Sequence, residues 1–396
     1  HNNPATFYSR NNAFSMMGFD TFTSKECMNI SQYTPNGNWP TDDVLVQETV
    51  KAMNATENQS DFVYTITVEG HGDYPTEKLL ENPDILVSGA ADEASNNQWE
   101  YYVNMIHEVD DFIGDLITAV DRRGEDTIIV FFGDHLPTMG LTDADMKSGD
   151  IFKTKYITWN NMGLAKKDAD LTAYQLLAHI TDQAGIHEGT MFRYHQTQTA
   201  SETYLSGLED LQYDLLYGKR YTYGGEDRYP ASDLVMDVED VTVSSVRKNT
   251  SNNTLTVYGA NFTKNTKIFV NGNKVPTTFL TSNLITTSLD NVQNGDTITV
   301  NILGSKSLLL RAGTGEVVYE DPDIVPETED PTEIPDTTAT EMKNTETESS
   351  ETKNSETESS EMKNTETEGS ETGSSETTSK TDSSAVTSEA ASDSNN

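Results

Sequence analysis

Within the first 135 residues, four side chains are of the types that handle phosphate and metal. Asp134 and His135 stand together after the uncharged run Thr127-Ile-Ile-Val-Phe-Phe-Gly133. A carboxylate beside a neutral imidazole can ligate a divalent ion; the carboxylate suits Mg2+ or Mn2+, and the imidazole extends the range to Mn2+ and Zn2+. His71 lies between Gly70 and Gly72, where small neighbours permit close approach of backbone or ligand. Its imidazole could hydrogen-bond a phosphate or give a proton to a leaving oxygen. Arg10, in Thr6-Phe-Tyr-Ser-Arg-Asn11, can grip a phosphate through two parallel hydrogen bonds while Tyr8 lends an aromatic face. Taken singly, each has a plainer reading: a turn cap, a packed histidine, a surface arginine stacked on Tyr8. Two apolar runs that both end in histidine argue for a shared site.

Those residues need elements to hold them. Residues 1–230 alternate strand and helix patterns, which predicts an α/β layer fold. Residues 62–68 alternate as a strand and run into the His71 loop. A helix is predicted over 97–122, with Trp99, Tyr102, Ile106, Val109, Ile113, Leu116 and Val120 returning every three or four residues. Gly124 closes it. The run 127–132 reads as a central parallel strand covered on both faces, delivering Asp134 and His135 to its carboxyl end. A strand at 156–159 and a helix near 171–184 follow.

Residues 233–320 are predicted to be all-β. Short alternating bursts at 241–246, 255–258, 267–270, 284–287 and 297–302 are separated by Asn-Gly turns, which suits a small sandwich. The stretch LTVYGANFTKNTKIFVNGNKV (255–275) resembles the TIG/IPT group of immunoglobulin-like domains, through Gly259-Ala-Asn-Phe262 and a following strand that ends in Val-Asn-Gly. No binding site is read there. Residues 321–396 hold 21 Asp and Glu against 4 Lys and include three copies of a decapeptide beginning at 341, 351 and 361. So little apolar surface cannot offset ordering entropy, and disorder is expected for this tail.

The formal charge of −39 argues against nucleic acid as a partner. Cys27 is the sole cysteine, so no internal disulfide and no Cys-rich zinc site can form. No run approaches a membrane span, no signal peptide opens the chain, and it starts at His1. The expectation is that an upstream piece is missing.

Taken in order, FYSRN…MGFD (7–20), TVEGHGDYP (67–75) and FFGDHLP (131–137) resemble the extracellular catalytic domain of lipoteichoic acid synthases, phosphoglycerol transferases of the sulfatase/alkaline-phosphatase superfamily. The resemblance implies the C-terminal part of a helix-sandwiched sheet, with Asp134 and His135 as ligands of Mn2+ or Mg2+ and Zn2+ a weaker fit. It implies Tyr8, Arg10 and His71 around the glycerol-phosphate group. Tyr8 stands where the family often has tryptophan, and Gly72-Asp73 replaces aromatic and apolar residues.

The implied partners are phosphatidylglycerol and a glycolipid or polymer acceptor. The implied location is the extracellular face of a bacterial membrane, reached through missing N-terminal helices, with cell-wall contact through the sandwich. The family's threonine nucleophile and glutamate ligand belong upstream, so the chain as given is expected to be inactive. Two alternatives stay open: a sulfatase, phosphodiesterase or phosphoethanolamine transferase on the same fold, and a non-catalytic surface-binding protein. His107 and His179 are read as packing or surface residues, His187 and His195 as loop residues. Residues 213–223, YDLLYGKRYTY, are expected to dock across the α/β domain.

Overall fold

The structure is a computed structural model that describes residues 1–324. The acidic repeats fall outside the described residues. The chain opens with α1 (Arg10–Met16) and β1 (Thr21–Phe22), followed by α2 (Val44–Asn54) and α3 (Glu93–Asp121). Next come β2 (Ile128–Phe132), β3 (Tyr156–Asn160), α4 (Leu176–Gln183), α5 (Thr190–Gln198) and α6 (Tyr204–Leu216). After β4 (Val235–Met236) the described residues form strands and two short 3-10 turns: β5 (Thr242–Asn249), β6 (Thr254–Ala260), β7 (Thr266–Val270), β8 (Asn273–Lys274) and β9 (Thr278–Thr281). The last are β10 (Leu284–Ser288), β11 (Thr297–Leu303), β12 (Leu309–Ala312) and β13 (Val317–Val318). Mixed helices and sheets precede a β-sandwich, as the sequence pattern predicts. No helix among the described residues is long and apolar enough to cross a membrane.

The long helix begins four residues before its predicted start, because Asp92 supplies an N-cap by accepting from the Ser95 N–H. Tyr101, Met105, Phe112, Leu116 and Val120 form its buried face. The last three pack with Met28, Ile30 and Leu45, and Ile129, Phe131 and Trp159 close over this core from β2 and β3. Fixing β2 against α3 fixes the point at which Asp134 and His135 emerge.

Two strand expectations are corrected. β2 pairs antiparallel with β3, from Ile128↔Asn160 to Phe132↔Tyr156, rather than in a parallel sheet. An apolar run reports burial, not the direction of its neighbour. Its burial is also only partial, and Phe132 is exposed. Residues 62–68 are extended but join no ladder among the described residues. Side chains engage their backbone instead, as described below.

In the sandwich, β5-β6-β10-β9 face β12-β11-β7-β8, with β13 on β11. Leu255, Val257, Ile268, Ile285, Ile298 and Val300 alternate inward and are fully buried. The Gly-Ala-Asn-Phe stretch has a steric reason. A Cβ on Gly259 would collide with the Thr242 carbonyl and the Phe262 ring. Asn261 adopts a left-handed turn (φ 59°) with its side chain donating to the Asp240 carbonyl, and Phe262 is fully buried.

Residues 22–30 tie the two halves together. Phe22 packs with Ala5 and Met236, Cys27 lies in the sandwich core, and Met28 and Ile30 lie in the α3 core. Thr263 Oγ1 donates to the Glu26 carbonyl at 2.7 Å, and Asn29 Nδ2 donates to the Phe262 carbonyl at 3.0 Å. β1 and β4 pair in parallel.

Residues 213–223 do not dock as expected. Tyr213, Tyr217 and Tyr221 are exposed beside an open groove at the end of α6.

Candidate active site

The Arg10 loop is shaped by its backbone. Tyr8 and Ser9 both adopt left-handed φ, 52° and 53°, uncommon for residues with a Cβ and costing roughly 1–3 kcal/mol each. This double turn starts α1 at Arg10. The guanidinium lies 5.4 Å from the Tyr8 ring and 5.5 Å from Phe7, and hydrogen-bonds His1 Nε2. On the other side of the same ring, Nδ1 meets the Ile66 carbonyl at 3.0 Å. A carbonyl can only accept and a guanidinium can only donate, so His1 is the neutral Nδ1–H tautomer. Burial pulls the Arg10 pKa below its usual value, with Asp134 among the groups opposing that shift. Arg10 nevertheless stays cationic at neutral pH.

His71 sits on a loop held from two sides. The Asp42 carboxylate accepts the Val68 and Glu69 N–H groups at 2.9 and 3.0 Å. Trp39 Nε1–H donates to the Gly72 carbonyl at 2.9 Å, and its ring meets His71 edge-on at 5.0 Å. A Cβ at Gly72 would lie 3.4 Å from Thr138 Oγ1, so the His71 loop and the loop after β2 are in contact. The His71 and His135 rings are 6.1 Å apart.

β2 ends as the Gly133 N–H donates to the Lys155 carbonyl. Asp134 then uses Oδ1 to accept the His135 N–H at 2.9 Å. His135 Nδ1 is 2.9 Å from the Leu136 carbonyl, which makes it the donor and leaves the Nε2 lone pair free. That Nε2 faces Asp134 Oδ2 at 3.8 Å, and both side chains are more than half exposed. An oxygen and an imidazole nitrogen 3.8 Å apart are of the types that fill two positions of a divalent-ion shell. No group of three or more His, Cys, Asp or Glu suited to a metal occurs among the described residues.

His71, Asp134 and His135 are thus brought together, and Arg10 is linked through the His1 ring to the stretch that leads into His71, with Tyr8, 76% exposed, beside its guanidinium. Sequence reasoning missed His1 and Trp39. Each lies within contact of a residue singled out, yet neither belongs to a periodic pattern that would have marked it. Among the remaining histidines, His195 is corrected from loop to helix. It lies buried on α5, its Nδ1 2.8 Å from the Tyr204 hydroxyl, and burial lowers its pKa. His187 is exposed beside Asp182 and Gln196.

Comparison with known proteins identifies the family. Residues 1–207 match the Sulfatase family, and residues 241–314 match the IPT/TIG domain. A curated relative, the "Putative cyclic beta-1,2-glucan modification protein" of Rhizobium meliloti (strain 1021), is 25% identical over 258 residues, 54% of this chain. The chain spans 40% of that relative's length. Among solved structures, the Streptococcus pyogenes phosphoglycerol transferase GacH in complex with sn-glycerol-1-phosphate aligns with a TM-score of 0.43 and 17% identity, over 55% of this chain and 60% of that one. The match over residues 1–207, more than half of the 396, makes the chain a member of the sulfatase family.

Proposed function

We propose that this chain carries the phosphate-binding side of a metal-dependent phosphoglycerol transferase. The observation that supports the reading best is the approach of His71 to the Asp134–His135 pair, with Arg10 linked through the His1 ring to the stretch that leads into His71. The cationic fork of Arg10 would grip a phosphodiester through charge-assisted hydrogen bonds. His71 would donate to a second phosphate oxygen, or hold the proton passed to the departing alkoxide. Asp134 Oδ2 and His135 Nε2 would hold Mn2+ or Mg2+. When bound, that ion offsets negative charge on the phosphate and favours deprotonation of an attacking hydroxyl.

The donor in this reading is phosphatidylglycerol, so the reaction belongs at a membrane surface, on the extracellular side in the proteins that the motifs resemble. The acceptor is a hydroxyl of a glycolipid or polymer. The relative named for cyclic glucan modification supports a saccharide hydroxyl. The threonine nucleophile and the further metal ligands would come from residues other than those described, and the sandwich would provide contact with the cell wall.

Competitive binding tests the reading. The full chain is titrated with sn-glycerol 1-phosphate, phosphoethanolamine and sulfate in the presence of Mn2+. Tightest binding of glycerol phosphate is expected. A preference for sulfate or phosphoethanolamine would move the assignment to another branch of the family.

A further inference from the structure

Asp42 is fully buried, and its carboxylate connects the two segments that carry the phosphate-side residues. Oδ1 accepts from Val68 N at 2.9 Å and from Asn2 Nδ2 at 2.8 Å, while Oδ2 accepts from Glu69 N at 3.0 Å. The Asp42 N–H returns a bond to Glu69 Oε2 at 2.9 Å. Asn2 is the neighbour of His1, whose ring meets Arg10. Glu69 is two residues before His71. One buried carboxylate therefore fixes the start of the Arg10 loop and the approach to His71 at a set separation.

The same turn grips the far side of the His71 loop. Asn36 Nδ2 donates to the Asp73 carbonyl at 3.0 Å, and Trp39 donates to Gly72 while its ring abuts His71. Burying two carboxylates side by side is an expensive way to close a loop, since each desolvated charge must be compensated by hydrogen bonds. Glu69 is only 4% exposed, so both acids bear that penalty. An arrangement that serves packing alone would be met more cheaply by apolar residues. What the carboxylate adds is direction: three N–H donors from two distant segments are aimed at one group.

We propose that Asp42 is a positioning residue for phosphate binding, acting through His71, with Trp39 as its counterpart on the other flank of the loop. This rests on the phosphoglycerol reading for the identity of the ligand, but not for the geometry. Replacing Asp42 by Asn keeps one acceptor oxygen and turns an N–H2 toward the Glu69 N–H, so the loop loses one anchor and gains a donor–donor clash.

The test is a double-mutant cycle on the full chain, with sn-glycerol 1-phosphate as the probe. Asp42→Asn is expected to weaken binding about tenfold when His71 is present and less than about twofold in the His71→Ala background. Equal losses in both backgrounds would mean a general structural role and overturn the proposal. If Asp42→Asn fails to fold, Trp39→Phe, which removes the bond to Gly72 and trims the ring that abuts His71, runs the same cycle with the same expectation. A second readout needs no ligand: the nuclear Overhauser contact between the His71 and His135 rings. It should be present in the wild-type chain and lost in Asp42→Asn or Trp39→Phe. An unchanged ring contact sinks the positioning role. Absent glycerol-phosphate binding by the wild type, with the ring contact responding as expected, instead sinks the phosphoglycerol reading.

Discussion

Arg10 donates to Nε2 of His1 while the Nδ1–H of the same ring is engaged by the Ile66 carbonyl, so the guanidinium is aimed by a residue nine positions earlier. In the proposed function, that aim is what would let it grip phosphate. Arg10→Ala should abolish sn-glycerol 1-phosphate binding measured by calorimetry. Arg10→Lys should weaken it by roughly 10- to 100-fold, because an ammonium keeps the charge but loses the planar fork. Undiminished affinity in the lysine variant would remove the bidentate role.

Asp134 and His135 offer two donors and no third His, Cys, Asp or Glu joins them among the described residues. Two donors fill only part of a Mn2+ shell, so this pair by itself should bind the ion weakly. Asp134→Ala or His135→Ala should remove the residual binding in an electron paramagnetic resonance titration. Mn2+ binding that survives both substitutions undiminished would contradict the assignment of this pair.

Burial pushes the Glu69 pKa up to about 7, against the stabilising N–H of Asp42. Between about pH 4.5 and 7 the folded chain holds a proton that the unfolded chain releases, so this group's contribution to stability falls as pH rises through that window. Comparing wild type with Glu69→Gln isolates the acid. The wild type should lose about 1–3 kcal/mol relative to the variant between pH 5 and 8 in urea unfolding. Parallel stability curves would rule the shift out.

The left-handed pair at Tyr8 and Ser9 stores backbone strain beside Arg10. Ser9→Gly removes the Cβ that makes this conformation unfavourable and should stabilise the fold by about 1 kcal/mol. A lower urea midpoint for this variant would show that Ser9 makes a contribution the backbone angles do not reveal.

Cys27 is 5% exposed in the sandwich core, and burial, aided by Asp237, pushes its thiol up to about 12. Thiol reagents should leave the native chain unmodified, because the thiolate is the reactive form. Labelling in rising urea should track loss of the sandwich. Rapid labelling under native conditions would mean that the segment bearing Cys27 leaves its seat.

Much of the sandwich was legible because its strands alternate strictly and its turns carry Asn-Gly. The edge strands β9 and β12 were not, being four residues long and defined by their partners. The stretch 62–68 has strand composition, yet among the described residues its neighbours are the His1 ring and the Asp42 carboxylate rather than another strand. The chemistry-bearing residues Arg10, His71, Asp134 and His135 stood out by type and by position after apolar runs. Asp42 and Trp39 did not. They act on a loop some 30 residues away, and a lone Asp or Trp in a polar turn has no period to expose it.

Residues 22–30 contribute side chains to three separate cores within nine positions. For evolution this makes the sandwich a poor cassette. A TIG module spliced after residue 232 from another protein would arrive without a seat for Cys27 and without the Thr263 hydroxyl that donates to the Glu26 carbonyl. The two matched families are thus heritable here as a pair, and substitutions on either side of their junction should be filtered by the other.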